Sequence, residues 1–140
     1  MRGELDEAIA CYKKSIECFP TAEAHTFLGW TYSFKGDHDA AIRECRIAIE
    51  VDPDFGNPYN DIGAYLIELG RHAEGIPWLK RAIEAKRYEP RHFPHFSLAR
   101  IYVKQGKIHE AISELELALQ LEPEYKLART ELHRLLGMLN

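Results

Sequence analysis

A chain of 140 residues with 46% hydrophobic and 29% charged residues has ordinary globular composition and enough length to bury a core, which excludes wholesale disorder. Its 18 Lys and Arg against 22 Asp and Glu leave a formal charge of −4, the wrong sign for a generic polyanion binder, so nucleic-acid binding is not expected. No apolar run approaches the ~20 residues that span a bilayer, and the acidic start RGELDE lacks the apolar centre of a secretory leader; membrane insertion is not expected and the cytoplasm is the default compartment.

Apolar residues recurring at i, i+3, i+4 and i+7 predict helices over 5–18, 22–35, 38–51, 57–69, 72–86, 93–104, 108–121 and 125–138, with no strand-like alternation of useful length. The first helix carries Cys11 and Cys18 and the third carries Cys45. An odd number without CxxC spacing suggests neither a zinc ribbon nor a disulfide framework, and free thiols, buried or half-buried, are expected. Gly36 supplies a left-handed end to the second helix, and Asp37 can cap the third. Asp39, Glu74 and Glu110 suit the first turns of the third, fifth and seventh helices. Pro77 falls inside the fifth helix, where it deprives the Ala73 carbonyl of its helical partner; a mild kink is expected rather than a break. KRYEPRHFPHF reads as a long connector, with Pro94 near the first turn of the next helix. In the last helix Ala128, Leu132, Leu135, Leu136 and Leu139 share one side, the pattern of a cap over the preceding helices.

Four glycines set a period: Gly3, Gly36, Gly70 and Gly106 are 33, 34 and 36 residues apart. Flanking residues recur in register. Eleven before the glycine stand His25, Tyr59 and His95, and eight before stand Leu28, Ile62 and Leu98. Small residues, Gly29, Gly63 and Ala99, lie seven before, and Tyr32, Leu66 and Tyr102 four before. Five after come Ala8, Ala41, Gly75 and Ala111, nine after Tyr12, Cys45, Leu79 and Leu115, and twelve after Ser15, Ala48, Ala82 and Ala118. Pro20, Pro53 and Pro123 stand seventeen after; in the third unit that place is taken by Arg87, and Pro90 comes three later.

The stretches AHTFLGWTYSFKGDHDAAIRECRIAIEVDPDF and FPHFSLARIYVKQGKIHEAISELELALQLEPEY resemble tetratricopeptide (TPR) repeats. The resemblance covers essentially the whole chain. It implies one all-α domain, a right-handed superhelical solenoid of antiparallel helix pairs: a half repeat at 3–21, full repeats at 22–55, 56–91 and 92–125, and a capping helix at 126–140. It also implies a concave groove lined by the first helix of each pair. Members of the family use that groove to bind an extended peptide or a partner helix, and most are adaptors rather than catalysts.

On that frame, the first-helix positions outside the packing pattern face the groove. They are Glu23, Thr26, Phe27, Trp30, Ser33 and Phe34, then Asn57, Asn60, Asp61, Ala64, Ile67 and Glu68, then Phe93, Phe96, Ser97, Arg100, Val103 and Lys104. Phe27, Trp30 and Phe34 form a stripe of aromatics, which either packs between repeats or offers rigid contact area to a partner. Asn57 and Asn60 can hydrogen-bond a peptide backbone or simply be solvated. Arg100 and Lys104, one turn apart, either hold a carboxylate or are plain surface, with Asp61 and Glu68 of opposite charge in the neighbouring repeat. One branch of the family grips a C-terminal carboxylate with lysines and asparagines. The comparable places here hold Thr26, Trp30, Asp61 and Ser97, so that clamp is not expected. A protein or peptide ligand with apolar or aromatic side chains is.

Rival chemistry finds little footing. His92 and His95 are three apart, yet no third ligand has convincing spacing, so packing histidines are expected, with no metal and no cofactor. No nucleophile sits beside a base and no Gly-rich loop is free to cradle phosphate, so catalysis is not expected. The leading reading is a noncatalytic interaction module acting as adaptor or scaffold. The alternative is the substrate-recognition or regulatory portion of a larger enzyme, such as a glycosyltransferase. At the start of the chain, Leu5, Ile9, Tyr12 and Ile16 lack the helix that would partly cover them, which predicts either a longer array or self-association through this end.

Overall fold

Prolines, capping side chains and glycines divide residues 2–140, the part described by the computed structural model, into eight helices. They are α1 (Arg2–Cys18), α2 (Ala22–Phe34), α3 (His38–Val51), α4 (Asn57–Glu68), α5 (His72–Glu84), α6 (His92–Lys104), α7 (Ile108–Leu121) and α8 (Lys126–Met138). Every boundary falls within three residues of its expected place. The Thr21 hydroxyl accepts from Ala24 N and the Asp37 carboxylate from Ala40 N, each at 3.1 Å, so both helices start on a satisfied donor. Pro77 is accommodated inside a continuous α5, and Pro94 sits in the first turn of α6.

Three sharp turns share one design. Gly36, Gly70 and Gly106 have φ of 83°, 77° and 75°, left-handed values that a side chain resists. At each, the glycine N–H donates to the carbonyl three residues back and the following N–H to the carbonyl five back, as in Asp37 N to Tyr32 O at 3.0 Å. That pair of bonds satisfies carbonyls a helix end would otherwise orphan. Gly3 is different: it lies inside α1 and ends nothing, contrary to its place in the repeat register.

The repeated apolar slots are the core. Leu28, Ile62 and Leu98 from the first helices, and Cys45, Leu79, Leu115, Ala48, Ala82 and Ala118 from the second, are almost wholly buried. At Gly63 an added Cβ would lie 2.5 Å from the Leu79 side chain, so the absent side chain is what lets α4 and α5 approach. Histidine slots carry a matched partner. His25 Nδ1 meets Glu44 Oε2 at 2.8 Å, and His95 Nδ1 meets Glu114 Oε2 at 2.6 Å, each across a helix pair. In the middle pair both members change: Tyr59 lies against Trp78, ring centroids 6.3 Å apart, and its hydroxyl donates to Pro53 O at 2.9 Å.

The long connector is tied down rather than loose. Arg87 N donates to Asp54 O and Gly56 N to Arg87 O, while the Arg87 guanidinium holds Asp52 at 2.6 Å and lies over the Phe55 ring. Arg91 donates to the carbonyls of Ile83 and Ala85, the open end of α5. Tyr88 is buried in a cluster with Tyr59, Ala82 and Ala85. Arg87 thus occupies the missing proline's place with a different fastening.

Three expectations about exposure change. Cys45 is buried, and burial holds its thiol well above the usual range, but Cys11 and Cys18 are exposed. Ile9 is buried, and Leu5, Tyr12 and Ile16 are half-buried, because α2 covers that side of α1, with Tyr12 stacked on Phe27. On α8, Ala128 and Leu135 are buried, whereas Leu136 and Leu139 are exposed together with Leu127 and Met138. Among the described residues, no helix is long and apolar enough to cross a membrane.

Candidate functional groove

The inner surface follows from which helices touch. Each helix packs on its neighbour in sequence, and α4 also touches both α2 and α6. The second helices α3, α5 and α7 make no comparable contacts with one another. A two-layer stack whose first helices crowd while its second helices spread must curve, with α2, α4 and α6 on the inside.

That inner face places some of the sequence-derived candidates in two clefts. Thr26, Phe27 and Trp30 of α2 meet Asn57 and Asp61 of α4 around a cleft of about 230 Å³. Arg100, Val103 and Lys104 of α6 meet Ile67, His72 and Glu131 around a second, of about 210 Å³. The first cleft is acidic and aromatic, the second mainly basic. Asp61 and the Arg100–Lys104 pair are therefore distributed to separate pockets, not to one clamp.

The aromatic stripe is real surface. Phe27 is 50%, Trp30 51% and Phe34 58% exposed, although Leu28 beside them is 1% exposed. Trp30 and Phe34 brace each other edge to face, centroids 4.6 Å apart, and Phe27 rests on Tyr12. The stripe is pre-ordered and wet, the condition in which a partner gains contact area at small entropic cost.

Other candidates are spent within the fold. Thr26 is buried and donates its hydroxyl proton to Ala22 O at 2.7 Å. Ile67, expected in the groove, is buried with Leu79, Leu98 and Ile101 between three helices. Phe96 is half-buried against Tyr125 and the last core cluster. Phe93 remains 43% exposed but is edged by Tyr125 and His92. With His92 against these rings and His95 bound to Glu114, the two histidines do not converge on one point. No cluster of three or more metal-ligating side chains occurs among the described residues.

Asp61 has a property that residue spacing does not reveal. It is half-buried, and loss of water raises its carboxyl from the usual 3.8 to about 7, with the Asn60 amide offsetting part of that rise. Its neighbours share the dry setting. Burial, and then the Asp61 charge, push the Tyr65 and Tyr88 phenols far upward. Asn60 Oδ1 and the Tyr65 hydroxyl are buried without a hydrogen-bond partner. Sequence reading also passed over Trp78 on the outer layer, whose ring takes both the Arg46 and Arg81 guanidinium groups, each 5.2 Å from its centroid.

Comparison with known proteins bears on the same helix pairs. The tetratricopeptide repeat pattern matches residues 22–55, 57–88 and 92–125. The TPR repeat-containing protein YpiA of Bacillus subtilis (strain 168) is 27% identical over 136 residues, 97% of this chain and 31% of that protein. The chain spans less than a third of the length of the curated relatives it matches. The structure of Pseudomonas aeruginosa PilF superposes with a TM-score of 0.90 at 25% identity, over 98% of this chain and 62% of that one. The first TPR of Spaghetti (RPAP3), solved with an HSP90 peptide, shares the fold at a TM-score of 0.78 and 20% identity, over 86% of this chain and 94% of that one. Glycine-ended first helices, a buried alanine at one recurring slot of the second helices (Ala48, Ala82 and Ala118) and the antiparallel pairing that joins them agree with these matches: the chain belongs to the tetratricopeptide repeat family.

Proposed function

We propose that this chain is a noncatalytic interaction module that receives a peptide segment or helix of a protein partner on α2, α4 and α6, as an adaptor or assembly scaffold. TPR modules generally mediate protein–protein interactions, and the Spaghetti domain was solved with a peptide. One observation carries the reading here: Phe27, Trp30 and Phe34 form an exposed aromatic stripe on an inner helix, Trp30 braced by Phe34 and Phe27 by Tyr12, beside a cleft with polar groups. Asn57 supplies a side-chain amide at the cleft wall for a peptide backbone.

Affinity capture from the source cell, comparing wild type with Trp30→Ala and Phe34→Ala, tests it. The half-exposed rings contribute little to the core, so both variants should fold, while capture of the specific partner should fall about tenfold or more. Undiminished capture by both would refute the groove assignment.

A further inference from the structure

The α2–α4 cleft contains a carboxylate that no cation among the described residues pairs with. Among the described residues, no lysine, arginine or histidine forms an ion pair with Asp61. The titratable groups that share its field are Cys45 on α3, Tyr65 on α4 and Tyr88 in the connector, all kept neutral by burial. Glu23 on α2 lies 3.6 Å from Arg87 instead, and Arg100 on α6 lines the second cleft. Close by on α4, the Asn60 Oδ1 atom is buried with nothing to accept from. The Thr26 hydroxyl has already donated its proton to Ala22 O, so it too can only accept. The side walls are the half-exposed rings of Phe27 and Trp30, whose faces attract cations.

The Asp61 carboxylate, the Thr26 hydroxyl and the two rings that line this cleft ask for the same thing: positive charge with several N–H donors and a flat face. The cost of drying the Asp61 carboxylate is already incurred in the free protein, so an incoming cation gains Coulomb energy in a poorly screened place. A guanidinium has five donors in one plane, enough for both Asp61 oxygens and a neighbouring acceptor, and it stacks on indole; an ammonium has three donors and no plane. We infer that the α2–α4 cleft is a receptor for one arginine side chain of the bound peptide, its guanidinium paired with Asp61 and lying against Trp30. This rests on the groove-binding reading and names the chemistry of the segment bound.

A display library of short randomised peptides, selected at pH 8 on wild type, Asp61→Asn and Trp30→Ala, tests both levels separately. Wild type should enrich peptides with an arginine beside an aromatic or aliphatic residue. Asp61→Asn should keep the apolar preference and lose the arginine. In calorimetric titration of the best wild-type peptide, Asp61→Asn and replacement of the peptide arginine by methionine should each weaken binding about tenfold or more, and the two losses should not add. Wild-type affinity should rise from pH 6 to pH 8 as the carboxyl ionises, and that of Asp61→Asn should not. Far-ultraviolet circular dichroism verifies that each variant is folded. Selection of apolar peptides with no basic residue, or of acidic peptides directed at Arg100 and Lys104, would overturn the arginine receptor and leave groove binding standing. Selection that gives no peptide preferring wild type over Trp30→Ala would overturn both.

Discussion

Asp61→Asn should stabilise the folded chain at pH 8 and leave it unchanged near pH 4. In the native state the carboxyl titrates at about 7, against 3.8 when unburied. Between those values the folded protein holds a proton that the unfolded chain has released, so stability falls as pH rises through this window and is flat on either side of it. The gap of roughly 3 units corresponds to ~4 kcal/mol at ~1.4 kcal/mol per unit. Asp61 keeps some contact with water at the mouth of the cleft, so we expect about half of that, ~2 kcal/mol. Asparagine has the shape of the protonated acid and no charge to dry, so the variant should gain this amount at pH 8. Urea unfolding of both proteins, followed by circular dichroism at pH 4, 6 and 8, measures the difference, with other carboxylates cancelling in the comparison. A variant no more stable than wild type at pH 8, or one whose gain is the same at pH 4, would refute the reasoning. A carboxylate that costs the fold stability at neutral pH fits a binding role better than a structural one.

Three further outcomes follow from the packing. Gly70→Ala forces a left-handed backbone on a side chain at φ 77° and should cost ~1–2 kcal/mol in thermal unfolding, whereas Gly137→Ala, with open space around it inside α8, should not destabilise. Glu114→Ala leaves the His95 Nδ1 group without its partner and should cost ~1–3 kcal/mol; the same loss is expected for Glu44→Ala at His25. Gly63→Ala drives a methyl group into Leu79 and should cost ~1–3 kcal/mol, and a double-mutant cycle with Leu79→Ala should recover part of that loss because the small residue makes room.

Surface exposure was legible where it follows from register alone. Phe27, Trp30 and Phe34 occupy none of the packing slots of α2, and they are indeed at the surface. Register failed where a third helix intervenes. Ile67 lies on the free side of its own hairpin, yet α6 brings Leu98 and Ile101 against it. Phe96 likewise finds Tyr125, a residue outside its own helix pair. Gly3 has the right spacing and the wrong conformation, since no helix precedes it among the described residues.

Local chemistry dictates the elements themselves: a glycine that alone tolerates positive φ, a proline or carboxylate at a helix start, and alanines at the slots where helices cross. Those preferences act within one turn of the chain, which is why spacing reveals them. The dryness of Asp61 has no such local cause. It arises only when α2, α3, α4 and the Tyr88 connector close around one carboxyl and strip most of the water from it, and desolvation belongs to that enclosure rather than to any residue pattern.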